Sequence, residues 1–448
     1  MNRPFFVSAI RFVIPSAVGV GVFLWPVGAA NEKTIVLGII GDHLLTALGV
    51  NGPIVVSVVL GFVSIYGIFR ISSRWLQRDT PDEVESQKEG SITTDLLRII
   101  GGVVAVATVL SIGPDWLVGE TTGSIVLQDL LPPLFVYLTV AIFFLPLLTE
   151  FGLMEFVGTL AAPVFRRLFL LPGRAAVDAF ASWVGSGTVG TLLTIQQFEN
   201  GHYSEREACS IICVFSIGSI SFCYVSSHLA NISHRFTAFY LTVIIASLII
   251  GLVLPRIPPL SKKNSGRQET LIANSTREYS RGVGIFKQAT SRAIAVAANA
   301  PGVTKLPGRS LKTAFDVWTG LMPAVMVVAT AGFVLVEHTG FFQVITAPLV
   351  PILDAAGLEC TSIAAPALIV GFVDLFIPPI LIGSCASEFT RFVVASVAVT
   401  QLIFMSEIGL LVLRSSLQMS VWDLFLTYML RTAMALPIVL LLANIFIN

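Results

Sequence analysis

Runs of about twenty apolar residues set the terms for this chain, because that is the length of helix that crosses a bilayer. Such runs cover residues 8–27, 53–69, 98–112, 129–148, 206–227, 236–254, 313–336, 388–413 and 423–447. Of the 448 residues, 55% are hydrophobic and only 12% charged, about half the charged fraction of an ordinary soluble domain. So little polar surface cannot cover a globule in water, and lipid is the solvent that fits. Basic and acidic residues balance at 27 each, which leaves no field to attract nucleic acid. Arg3 and Arg11 precede the apolar stretch 12–27, and with Ala29 and Ala30 after it this resembles a signal peptide. Pro15 and the further runs favour a retained first span.

Basic residues in the connections orient the spans. Arg70, Arg74, Arg78 and Lys88 mark one connection as cytoplasmic, and eleven basic residues over 256–312 mark another. Residues 113–128 carry none and read as external, whereas Arg166, Arg167 and Arg174 read as internal. If 175–198 crossed, the eleven basic residues would lie outside. The conflict disappears if 175–198 enters and returns. Its middle holds Gly185, Ser186, Gly187, Thr188 and Gly190, a break tolerated at membrane depth only where it is buried in protein or lines a polar cavity. Residues 34–50, with Asp42 and His43 at their centre, would also upset the parity by crossing; an external interfacial helix is expected there.

The second half repeats the plan: a span at 313–336, an amphipathic stretch at 341–353, then 362–382 broken by Asp374, Pro378 and Pro379, then two spans. Three crossings per unit, joined by a cytoplasmic linker, make the units inverted. The expected fold is therefore an all-α polytopic membrane protein with about nine transmembrane helices and two re-entrant segments in an inverted repeat. N-terminal helices occupy 1–128 with a cytoplasmic loop at 71–97. The first repeat covers 129–254, the linker 255–312 (with a short surface helix within 282–300) and the second repeat 313–448. Such repeats place a substrate site near the midplane, where half-helix ends converge.

The stretch 145–208, with Thr149, Glu150, Glu155, Pro163 and the run Tyr203-Ser-Glu-Arg-Glu-Ala208, resembles the nucleoside-recognition Gate domain. That domain is shared by concentrative nucleoside transporters, the ferrous-iron transporter's membrane part and spore-maturation membrane proteins. The whole chain, from Ile14-Pro15-Ser16 onward, resembles the YjiH-like bacterial inner-membrane proteins that contain it. The resemblance implies paired hairpins that hold the ligand, with sodium or protons coupled, and it points to 185–188 and 372–379. No GxxxxGK[ST] nucleotide-binding loop occurs, and the nucleoside transporters' polar hairpin signature is also missing.

Ionisable residues within spans are rare and functional by default. Asp374 leads, followed by Glu407 with Gln401 and Ser406 nearby. Ser182, Gly185, Ser186, Gly187 and Thr188 give the first hairpin a polar lining suited to a neutral or zwitterionic solute; close helix packing is the alternative. Asp178 reads as a helix cap, Glu388 and Arg391 as a helical ion pair, and the five cysteines as packing, with no metal-ligand spacing. HExxH and GxSxG are absent. The expectation is a secondary transporter of a nucleoside-, amino-acid- or dipeptide-like solute in the bacterial inner membrane. It is not an enzyme, has no cofactor beyond a coupling Na+ or H+, and acts alone or as a homo-oligomer. A membrane scaffold or channel-forming subunit is the alternative.

Overall fold

The computed structural model describes residues 3–28, 33–76, 89–185, 187–215, 218–266, 284–302 and 305–447. Nearly all of them are helical; the only strands among them, Pro26–Val27 (β1) and Thr34–Ile35 (β2), pair in a small antiparallel ladder. Nine helical stretches among the described residues are long and apolar enough to cross a membrane. Each overlaps one of the nine runs read from the sequence, and the second, Val36–Ser73, also takes in the segment expected to lie at the interface.

Four N-terminal helices come first: α1 (Arg3–Phe23), α2 (Val36–Leu48), α3 (Gly52–Leu76) and α4 (Glu89–Val109). α2 ends at Gly49, whose φ of 49° is a left-handed turn open to glycine without penalty. α3 follows after a short 3-10 turn, and its first residue Gly52 abuts Pro132.

The first repeat runs α5 (Leu131–Phe144), α6 (Leu153–Val164), α7 (Ala175–Val184), α8 (Gly187–Glu199), α9 (Glu205–Ser210), α10 (Ile220–Leu229) and α11 (Phe236–Val253). After the linker helix α12 (Ile285–Asn299), the second runs α13 (Leu306–His338), α14 (Phe341–Thr346), α15 (Val350–Ala355), α16 (Thr361–Val370), α17 (Ile377–Gly383), α18 (Glu388–Gln401), α19 (Leu410–Arg414) and α20 (Val421–Phe446). The two follow the same plan, with the single α6 of the first repeat answered by α14 and α15 in the second. Each repeat has a span, amphipathic helices, a helical hairpin (α7–α8; α16–α17), a span broken at mid-height and an intact span. α9 and α10 form the first broken span; α9 runs on through the π-helical turn Ile211–Phe215, and residues 216–219 lie between that turn and α10. α18 and α19 form the second, joined through the π-helical turn Met405–Gly409.

Contacts between distant segments fix the two sides. Arg11 reaches the carbonyls of Ala300 (2.5 Å) and Pro301 (3.2 Å), and Arg309 pairs with Glu150 at 3.3 Å. Lys263 pairs with Asp423 at 3.0 Å, and Arg256 reaches the Leu168 carbonyl at 3.1 Å. One face of the bundle therefore gathers the start of α1, the base of the first hairpin, the linker and the α19–α20 loop. On the opposite face Asn231 bonds the Gly383 carbonyl at 3.2 Å and Thr237 the Lys33 carbonyl at 3.5 Å. The hairpins enter from opposite faces, and the repeats are inverted.

Two expectations fail on that opposite face. Glu388 does not pair with Arg391; its carboxylate takes Arg235 and His234 from the other repeat, and Arg391 turns back to the Cys385 carbonyl at 3.3 Å. Cross-repeat groups lie closer to Glu388 than its own helical neighbour does. Cys360 and Cys385 are not mere packing either: they form a disulfide that closes the base of the second hairpin. Cys209, Cys213 and Cys223 are buried and free.

Candidate functional site

The first hairpin is held together by a close approach of its arms. A Cβ built on Gly190 would fall 1.7 Å from Ser182 Oγ, so only glycine lets α8 lie against α7 there. Ser182 is 2% exposed and faces this contact. Gly185 ends α7, Gly187 is buried at the start of α8, and Ser186 between them lies outside the described residues. The Thr188 hydroxyl is buried and has no partner among the described residues. Asp178 is no helix cap, since α7 begins three residues earlier; its carboxylate instead accepts from Tyr203 Oη at 2.5 Å. Trp183 Nε1 donates to the Phe215 carbonyl at 2.6 Å, tying the hairpin to the break of its own repeat.

The second hairpin is tied to its repeat in the same manner, through main chain. Residues 371–376 separate α16 from α17, and Pro378 and Pro379 occupy the first turn of α17, where a missing N–H leaves nothing unpaired. The carbonyls of Phe372 and Val373 accept from the N–H groups of Met405 (2.8 Å) and Ser406 (3.1 Å). The loop of the hairpin and the break between α18 and α19 thus satisfy each other's freed backbone groups. Asp374, 2% exposed, accepts from the Phe376 N–H at 2.8 Å and stands beside the Ser406 side chain. Glu407, in the π-helical turn, lies within electrostatic reach of Asp374. It is only partly buried, and its carboxylate has no hydrogen bond among the described residues. α8 of the first hairpin packs against this same turn and α19.

Gln401 ends α18 inside a closed network. Its Nε2 donates to the Leu368 carbonyl (2.9 Å) and Thr432 Oγ1 (2.7 Å), while its Oε1 accepts from Tyr428 Oη at 2.7 Å. Gly371 makes room for it: a Cβ there would lie 2.7 Å from Tyr428 Oη and 2.9 Å from Gln401 Oε1.

Sequence reasoning overlooked Arg431. It sits mid-way along α20, fully buried, and among the described residues no carboxylate pairs with it. An arginine at the centre of a span costs about 3 kcal/mol on insertion scales, so its position alone was the signal. Its Nε donates to the Thr400 carbonyl at 2.9 Å, joined there by Nη2. Nη1 donates to the carbonyls of Cys213 at 2.7 Å and Val214 at 3.5 Å. Those carbonyls belong to the last turns before the two breaks, one in each repeat, and such end carbonyls have no partner within their own helices. One side chain therefore caps both.

The structure thus draws Asp374, Gln401 and Glu407 to the second break, with Pro378 and Pro379 behind the hairpin loop. Ser182, Gly185, Gly187 and Thr188 stay in the first hairpin, which meets that break along α8. Farther out, on the face opposite the linker, a cavity of about 550 Å³ lies between the N-terminal helices and the second hairpin. Gln128, Asp129, His228, Asn231 and Ser384 are its polar lining. Behind it Tyr137 Oη donates to Asp42 and meets His228 Nδ1 at 3.0 Å.

Residues 131–232 match the Gate family of nucleoside-recognition domains, which spans α5 to the end of α10 and so covers the first hairpin and first break. This family is nucleoside-transporter-like. An uncharacterised protein of Alkalihalophilus pseudofirmus is 37% identical over 98% of this chain and 95% of its own length. No solved structure matches. The chain therefore belongs, with that bacterial relative, to a family of multi-pass membrane proteins built on the Gate nucleoside-recognition domain.

Proposed function

We propose that this protein is a secondary transporter of a small polar organic solute across the bacterial inner membrane, with the basic face cytoplasmic. The observation that carries the reading is the convergence, at mid-height of an apolar bundle, of two broken spans, a hairpin loop and two carboxylates. A bundle that only had to be stable would gain by filling that place with apolar side chains. Inverted repeats with breaks at the same height are the geometry of alternating access around a fixed site.

In this reading Asp374, Glu407 and the loop of the second hairpin face the solute, Gln401 holds the break behind them, and the first hairpin gates from the cytoplasmic side. The outer cavity is the entrance; its volume falls in the range that takes a nucleoside, an amino acid or a dipeptide. Its lining carries an acid and no lysine or arginine, which favours neutral and zwitterionic solutes over anions. No nucleophile–base motif is present, and the reading is a carrier rather than an enzyme.

Uptake into proteoliposomes, under an imposed proton or sodium gradient, tests this across nucleosides, amino acids and dipeptides. The native chain should accumulate one class, and Asp374→Asn should lose accumulation while keeping its fold, because the amide oxygen still accepts from the Phe376 N–H. Absence of gradient-driven uptake of every solute would favour a non-transporting scaffold.

A further inference from the structure

The carbonyls around Arg431 are those a transporter would use for an alkali cation. In broken-helix carriers, unwound carbonyls and the C-terminal ends of half-helices hold Na+ at the midplane. Here α18 ends at Thr400–Gln401 and the π-helical turn after α9 ends at Phe215, at the same place and from opposite repeats. Each end carries about −0.5 of an elementary charge, so the pair presents about −1. A single guanidinium matches that charge, and it already bonds the carbonyls of Thr400, Cys213 and Val214. Trp183 takes the next carbonyl, that of Phe215. The place is dry, with Arg431, Thr400 and Cys213 all fully buried. A sodium ion could enter only by expelling the side chain.

We propose that Arg431 is the resident cation of this protein: it takes the place of a bound Na+ between the two broken spans, and the centre binds no sodium. The sodium coupling allowed by the Gate resemblance does not fit these residues. Within the transporter reading, coupling then falls to protons, with Asp374 and Glu407 the carboxylates at the second break.

The test is thermal unfolding of the purified full chain in sodium chloride and in choline chloride at equal ionic strength. It reads stability, so its failure and the failure of the transport reading are separable. The native protein should unfold at the same midpoint in both salts. Arg431→Met keeps the bulk and removes the charge; its midpoint should fall in choline and recover in part in sodium, which can enter the vacated carbonyl cage. Arg431→Lys, with one ammonium in place of the fork, should fall less and show no sodium dependence, and it serves if the Met variant does not fold. A native midpoint raised by sodium would overturn the proposal. So would an Arg431→Met midpoint that is equal in both salts, or a Lys variant rescued by sodium.

Discussion

Replacing Gly190 with alanine should push the arms of the first hairpin apart, and the cost can be worked from the contact. The new Cβ would lie 1.7 Å from Ser182 Oγ, 2.8 Å from Ser182 Cβ and 3.1 Å from Ser182 Cα. Rotating the Ser182 side chain removes only the first conflict. The Cβ–Cβ approach remains and forces the helices apart, an overpacking that costs about 1–3 kcal/mol. Better helix propensity returns about 1 kcal/mol, so the net loss for Gly190→Ala is about 0–2 kcal/mol. Ser182→Gly removes both offending atoms. The double variant should therefore be more stable than the sum of the singles by about 1–3 kcal/mol, the overpacking that is no longer made. Unfolding of the four proteins in mixed detergent micelles measures this coupling. Were 175–198 a single straight helix, the two positions would stand about 12 Å apart along the axis, at 1.5 Å per residue, and could not couple. A coupling within about 0.5 kcal/mol of zero would refute the folded-back hairpin.

Three further outcomes follow from the same geometry. Tyr428→Phe should cost about 1–3 kcal/mol in detergent unfolding, because the buried Gln401 Oε1 loses its 2.7 Å donor; an unchanged midpoint would show that the Gln401 network is not closed as described. Glu388→Gln should cost no more than about 1 kcal/mol, since the pair it forms with Arg235 is partly exposed, and that small loss should shrink further in high salt. Membrane-impermeant maleimide applied to intact cells should label the native chain only after reduction, at Cys360 and Cys385; labelling without reductant would mean that the disulfide is absent.

The architecture was legible because charge parity and composition are long-range constraints. The eleven basic residues over 256–312 forced 175–198 to return, and Gly185, Gly187 and Gly190 showed where it does. The breaks in the third span of each repeat were not legible. Residues 206–227 and 388–413 each average out as apolar enough to cross, and a π-helical turn leaves no mark in hydropathy. Asp374 and Gln401 stood out as polar groups in apolar runs, and both lie at the second break. Arg431 has the same signature but was passed over inside a span read only for its length. The Glu388 pairing with Arg235 and the Cys360–Cys385 link depend on which loops meet on one face, and no local spacing encodes that. For Ser182, the sequence left lining and packing open, and the Gly190 approach puts it in the packing of the hairpin.

The central claim is that the hairpins enter from opposite faces of the membrane. Single cysteines on a background lacking the native thiols, placed at Gly201 beside the first hairpin, at Ser265 in the linker and at Gly357 beside the second, measure it directly. In sealed cells, impermeant reagent should reach Gly357→Cys and leave Gly201→Cys and Ser265→Cys unlabelled until the membrane is opened. Labelling of Gly201→Cys and Ser265→Cys from opposite sides, or of Gly201→Cys and Gly357→Cys from the same side, would contradict the inverted repeat.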